Sequence, residues 1–288
     1  MSRLALVHVY PPQDFLIEPQ VRRALEEDFG RAGDLTTDLL LPEDQTARAV
    51  IAAREPGIIC GLVAAVIAFR LVDPSVRLTP HMPDGSKVEP KQIVCELEGP
   101  ARAVLSAERT ALNFMGHLSG VATATNALVR QTTGTRARIV CTRKTLPGLR
   151  ILQKYAVRCG GGFNHRFGLD DAVLIKDNHV AAAGGVEPAV TRARERLGHM
   201  VKIELEVDTL AQLEIALALG VDTILLDNMK PDELRGAVAM SARRAVLEAS
   251  GGITLDSVRA VAETGVDYIS SGAITHSARN LDLGLDFL

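Results

Sequence analysis

Apolar and polar positions follow two different rhythms along this chain. From about residue 137 onward, short apolar runs at 137–142, 172–176, 201–207, 222–227, 245–250 and 267–271 alternate with stretches of helical spacing such as 210–219 and 231–242. Runs this short and uniformly apolar predict buried parallel strands, because a strand covered on both faces loses the in–out alternation of a half-solvated one. Gly220 stands just past one helical stretch, where a left-handed cap is wanted. The later units recur about every 21 to 23 residues, a tight repeat that predicts a β/α barrel rather than an open doubly wound sheet.

The first hundred residues read differently. A helix is predicted over 21–28, then strands over 47–59 and 87–98, punctuated by Pro56-Gly57 and the turn Pro83-Asp84-Gly85. This pattern predicts a separate α+β domain. A helical stretch over 103–131, interrupted near Gly116 and Gly120, connects the two parts and places a boundary near residue 115. The expected organisation is therefore an α/β chain, with an N-terminal domain over 1–115 and a barrel domain over 116–288.

Length and composition agree: 288 residues with 47% hydrophobic content give two domains ample core. The longest apolar run, 58–69, is too short to span a bilayer, so no membrane segment is expected. The start, MSRLALVHVYPP, has too short an apolar core and no small-residue cleavage site, so it does not read as a signal peptide, and the cytoplasm is the expected location. Cys60, Cys95, Cys141 and Cys159 are scattered without a CxxC or Cys/His ligand spacing, which predicts reduced, buried thiols rather than a zinc site or a disulfide framework.

Charge changes the picture. Residues 141–179 concentrate nine basic side chains against three acids, in a chain whose net charge is only -3. Arg143, Lys144, His165, Arg166 and Lys176 sit beside strand-like runs that aim them inward, which predicts a site for a small, multiply anionic ligand. A nucleic-acid surface wants a broader basic excess and aromatic platforms, and this chain has no Trp and 3% aromatics. In barrels the functional groups lie at the C-terminal ends of strands. Here those ends carry Arg143 and Lys144, then Lys176, Glu206, Asp227, Ser250-Gly251-Gly252 and Ser271-Gly272-Ala273.

The last two clusters each precede a predicted short helix and leave backbone N–H groups unobstructed for a phosphate, although either alone is equally well a plain tight turn. Glu206 and Asp227 follow apolar runs, where a carboxylate needs compensation from a divalent ion, sugar hydroxyls or a structural salt bridge. Glu204 shares a strand face with Glu206, which is preferred as nearer the strand end. Arg150, Lys154 and Arg158 recur at helical spacing and predict a solvated or subunit-facing stripe. His165 and Arg166 follow three glycines on a predicted loop, where the pair suits carboxylate binding and the histidine alone would be structural.

The segments TRKTLPGLRILQKYAV, GGGFNHRFGLDDAVLIKDNH, ELEVD, ILLDNM, EASGGI and ISSGA, together with LEEDFGRAGDLTTDLL and LSAERTALNFMGHLSG upstream, resemble the quinolinate phosphoribosyltransferases over nearly the whole chain. The resemblance implies an N-terminal α/β sandwich domain packed on an incomplete, seven-stranded barrel, of which six strands are found above. It implies attack of quinolinate's ring nitrogen on phosphoribosyl pyrophosphate, loss of pyrophosphate and CO2, and formation of nicotinate mononucleotide. Arg143, His165, Arg166 and Lys176 would clamp the dicarboxylate, with Thr142 beside them, and Lys144 would face the phosphoribosyl donor. Glu206 and Asp227 would hold Mg2+ or ribose hydroxyls, directly or through water, while Ser250 to Gly252 and Ser271 to Ala273 would take the 5-phosphate. Arg109 would enter the neighbouring site of a homodimer. Three other readings stand beside this one: a molybdate-transport-associated paralogue, a barrel lyase using Lys144 or Lys176 as a Schiff base, and a non-catalytic sugar-phosphate binder.

Overall fold

The computed structural model describes residues 9–288; most of the N-terminal stretch read above against signal peptides lies outside them. The chain forms two compact units that interleave along the sequence, where the sequence reading placed one boundary near residue 115. The first unit comprises the chain through Asn126 with Thr145–Gly161 and Ile274–Leu288, and the second comprises Ala127–Lys144 with Gly162–Ala273.

The first unit contains β1 (Thr46–Ala53), β2 (Gly57–Ile58), β3 (Arg77–Pro80), β4 (Lys87–Val88) and β5 (Ile93–Pro100). The single strand predicted over 47–59 is split, because Arg54 to Pro56 leave the sheet and β2 pairs instead with β4. β1 is buried along most of its length and pairs antiparallel with β5, which in turn pairs with β3. The apolar run over 58–69 is spent largely on the helix Leu62–Val72. No helix among the described residues is long and apolar enough to cross a membrane.

The predicted helix over 103–131 forms as one uninterrupted element, Ala101–Gln131. Gly116 and Gly120 do not break it. Leu281 donates its backbone N–H to the Gly116 carbonyl at 2.9 Å, and a Cβ on Gly120 would collide with the Arg279 carbonyl. The glycines admit the C-terminal segment against the helix backbone, a use of glycine for close approach rather than for flexibility.

The second unit holds β6 (Arg138–Val140), β7 (Val173–Ile175), β8 (Ile203–Val207), β9 (Thr223–Asp227), β10 (Val246–Ser250) and β11 (Tyr268–Ser270), all parallel and all at the predicted places. Their order is β6-β11-β10-β9-β8-β7. Five strands follow chain order and the first lies beside the last, which is a ring cut between β6 and β7, the topology of an incomplete barrel. A parallel bridge from Val140 to Phe163 adds one rung beyond β6, fastened by Phe163 N–H to the Ile139 carbonyl at 2.8 Å. That rung stands where the implied seventh strand belongs, and a single residue leaves no apolar run to find.

Gly220 takes the left-handed conformation (φ 64°) that its place after the helix Leu210–Ala218 demands. The final strand, β12 (Leu283–Phe287), returns to the first unit and pairs antiparallel with β1, covering the edge that β5 leaves open.

Candidate active site

Registered neighbours in a parallel sheet share a face, as do alternate residues along each strand. The registers align Leu174 with Glu204, Glu206 with Leu225, Leu225 with Glu248, Asp227 with Ser250, and Ser270 with Val140. One face of the sheet therefore carries Glu204, Glu206, Asp227, Glu248, Ser250 and Ser270. One further step of alternation adds Lys176 after β7 and Thr142 after β6. The six strand-end clusters expected from sequence thus lie along one rim, within one unit.

Arg143 stands just past β6 on this rim, and its charge acts on Arg166. Arg166, on the loop between β6 and β7, donates through Nη1 to the Ala172 carbonyl at 3.0 Å, while its buried Nε has no hydrogen bond. Burial pushes the Arg166 guanidinium below its usual pKa, and the charge of Arg143 pushes the same way, with Glu204 opposing. Two guanidiniums whose charges disfavour each other favour an anion that comes between them.

His165 lies beside Glu204 and Glu248 on this face. Its Nδ1 accepts the backbone N–H of Arg166 at 2.7 Å, and its Nε2 lies 2.8 Å from Glu204 Oε2 and 3.7 Å from Glu248 Oε1. Both ring nitrogens are thus engaged within the protein. Accepting at Nδ1 leaves the ring proton on Nε2, which donates to Glu204. Burial, and then the charge of Glu204, raises the Glu248 carboxyl to about 7, with His165 opposing.

Higher on the same face, Lys176 is ion-paired with Glu206 Oε2. Asp227 accepts from Asn228 Nδ2 at 2.6 Å. Asn228 is held at φ 54° with its backbone N–H on the Ser250 carbonyl at 2.9 Å. Gly251, at φ 97°, leaves the space that the Asn228 amide fills. At the next strand end, a Cβ on Gly272 would lie 2.9 Å from Lys144 Cδ and 3.3 Å from Thr142 Oγ1, so the Lys144 stem crosses directly over this glycine. Thr142 Oγ1 also accepts the Lys144 backbone N–H at 2.9 Å.

Of the two glycine clusters only the second leads straight into a helix, Ala273–His276. After Gly252 the chain runs on to Val258 before one begins. Exposed Arg109 lies on the helix Ala101–Gln131 in the first unit. The basic stripe on the helix Arg150–Cys159 is not solvated: Lys154 is 1% exposed, and Arg150 donates to Thr145 Oγ1 at 3.0 Å. All four cysteines are free and buried, and burial raises the Cys95 thiol to about 12.

Sequence reasoning missed Glu248 and Asn228. Glu248 had a visible signal, since it stands two residues before Ser250 as Glu204 stands two before Glu206, a charged residue inside an apolar strand. Asn228 had none, because its role rests on a positive φ that the sequence does not announce.

Comparison with known proteins bears on this geometry. Residues 121–286 match the family model described as quinolinate phosphoribosyl transferase, C-terminal domain, and residues 34–119 match the N-terminal domain of the same name. A probable nicotinate-nucleotide pyrophosphorylase (carboxylating) of Bacillus subtilis (strain 168) is 46% identical over 260 residues, spanning 90% of this chain and 89% of its own. The protein named nicotinate-nucleotide pyrophosphorylase (carboxylating) from Mycobacterium leprae (strain TN) is 45% identical over 271 residues, spanning 92% of this chain and 95% of its own. The structure of the nicotinate-nucleotide pyrophosphorylase from Francisella tularensis superposes with a TM-score of 0.93 at 41% identity, covering 98% of this chain and 99% of that one.

Proposed function

This chain belongs to the quinolinate phosphoribosyltransferase family, and from that premise we propose how its residues divide the work of the reaction. The enzyme joins quinolinate to the phosphoribosyl group of phosphoribosyl pyrophosphate, releasing pyrophosphate and CO2 and giving nicotinate mononucleotide for NAD biosynthesis.

The observation that carries the site assignment is the Arg143–Arg166 pair. A planar dicarboxylate suits two guanidiniums, whose forked donors accept carboxylates in bidentate fashion, and its charge relieves their mutual repulsion. In this reading Arg143, Arg166 and Lys176 hold quinolinate, with Thr142 and Lys144 between it and the phosphoribosyl donor. His165 acts from behind through Arg166. Ser250, Gly251 and Gly252, with Ser271, Gly272 and Ala273, receive the 5-phosphate on backbone N–H groups and serine hydroxyls.

Glu206 and Asp227 offer hard oxygen donors on one face, at adjacent strands. Two carboxylates are what Mg2+ ordinarily takes from a protein when substrate phosphates and water complete its shell, so the donor set fits that ion. Bound there, Mg2+ would neutralise charge on the departing pyrophosphate. The carboxylates themselves stabilise positive charge developing on the ribose, and the ring nitrogen, cationic after ribosyl transfer, eases loss of the adjacent carboxylate. An ion-paired Lys176 is not the desolvated amine that a Schiff-base lyase requires.

We further propose a cytoplasmic homodimer in which Arg109 reaches the partner's site. Four free, buried thiols support a reducing compartment. The deciding experiment supplies purified protein with phosphoribosyl pyrophosphate, Mg2+ and either quinolinate or nicotinate, and measures nicotinate mononucleotide. Product from quinolinate alone is expected. A folded protein that makes none overturns the assignment.

A further inference from the structure

Beneath the rim lies a cluster that the reaction as described does not use. Glu204 and Glu248 project from β8 and β10 on the same face, one step below Glu206 and Ser250. Their side chains are 9% and 5% exposed, and each has an Oε1 with no hydrogen bond. Two carboxylates buried beside one imidazole cost several kcal/mol relative to apolar packing, so their placement calls for a use. Both face His165 Nε2, at 2.8 and 3.7 Å. The opposite ring nitrogen holds the backbone N–H of Arg166, and the charge of Glu204 also favours the Arg166 guanidinium that burial and Arg143 disfavour.

We infer that Glu204 and Glu248 are positioning residues for the dicarboxylate clamp: they fix the His165 ring, and the ring fixes Arg166 against Arg143. The inference rests on the clamp reading given above. It predicts a selective effect. Loosening the support weakens capture of the dicarboxylate and leaves the phosphoribosyl donor, bound at other strand ends, unaffected.

The test is steady-state kinetics of Glu204→Gln and Glu248→Gln, with both substrates varied and Arg166→Lys as the reference. Gln at 204 replaces the charged acceptor that holds the His165 ring by a weaker neutral one and removes the charge that favours Arg166. It should raise KM for quinolinate about tenfold, the scale of one charge-assisted contact, with KM for phosphoribosyl pyrophosphate and kcat within about twofold. Glu248→Gln, farther from the ring, should shift KM for quinolinate the same way by about threefold, and it decides the matter if Glu204→Gln does not fold. Equal changes in both KM values, or a fall in kcat alone, would mark a merely structural pair and overturn the inference. Unchanged KM for quinolinate in both Glu variants, while Arg166→Lys raises it, also overturns the inference and leaves the clamp intact. If Arg166→Lys leaves that KM unchanged, the clamp reading itself fails, and the inference with it.

Discussion

Lys176, the first residue past β7, is ion-paired with Glu206, the penultimate residue of β8. The lysine is half-exposed but the Glu206 side chain is only 10% exposed, so removing the cation leaves a nearly buried carboxylate uncompensated and costs some stability. Lys176→Ala should therefore lower Tm while the protein stays folded, and turnover of quinolinate should fall by at least about tenfold, the expected cost of one charged contact to the substrate. Calorimetry beside the product assay checks this. A folded variant with parental turnover removes Lys176 from the site.

Asp227 differs from Glu206 in its partner, an asparagine amide rather than a cation. Asp227→Asn removes one negative charge where Mg2+ and the ribose are expected. Turnover should fall about a hundredfold, and the Mg2+ concentration for half-maximal rate should rise. A Mg2+ titration of both proteins reads the two effects; unchanged rate and unchanged Mg2+ dependence would end the proposed role.

Glu248 predicts a pH effect on stability. Its carboxyl is raised from 4.5 to about 7 by burial and by Glu204. A carboxyl whose folded pKa is raised contributes stability below its unfolded pKa and loses it as pH climbs through the folded value. The contribution is therefore full below about pH 4.5 and disappears by about pH 7, a span worth up to about 3 kcal/mol. Glu248→Gln, neutral at every pH, should flatten the decline of Tm across that window. Parallel pH profiles for the two proteins would contradict it.

Gly120 predicts a reversal of the usual helix rule. Alanine at an ordinary helix glycine stabilises by about 1 kcal/mol. Here the added Cβ collides with the Arg279 carbonyl and lies 3.1 Å from Asn280 Cα. Gly120→Ala should cost about 1–3 kcal/mol, as overpacking does. Denaturant unfolding measures the sign directly.

Arg109 predicts complementation between subunits. If it serves the partner's site, Arg109→Ala and Lys176→Ala are each inactive alone, but mixed and allowed to exchange they regain roughly a quarter of parental activity, because half the dimers are mixed and each of those has one intact site. No recovery after verified exchange would confine Arg109 to its own subunit.

The chain determined much by itself. Apolar runs of buried-strand character located all six strands of the second unit, since burial on both faces is written into composition before any contact forms. The same runs end in charged or glycine residues, so the rim of Arg143, Lys176, Glu206, Asp227 and the two glycine clusters was legible as a list. Tertiary structure decided what that list could not contain. The unbroken helix through Gly116 and Gly120 depends on a segment that arrives some 160 residues later, and a glycine's sequence neighbours do not say whether another backbone lies against it. The return of β12 to β1 is likewise a long-range pairing with no local signal. Lys154 reads by spacing as part of a solvated or subunit-facing stripe, and only the folded chain shows it 1% exposed within its own subunit. The inward turn of His165 toward Glu204 and Glu248 is a matter of register among three strands and a loop. Register fixes which charges share a face, and only the folded sheet sets it.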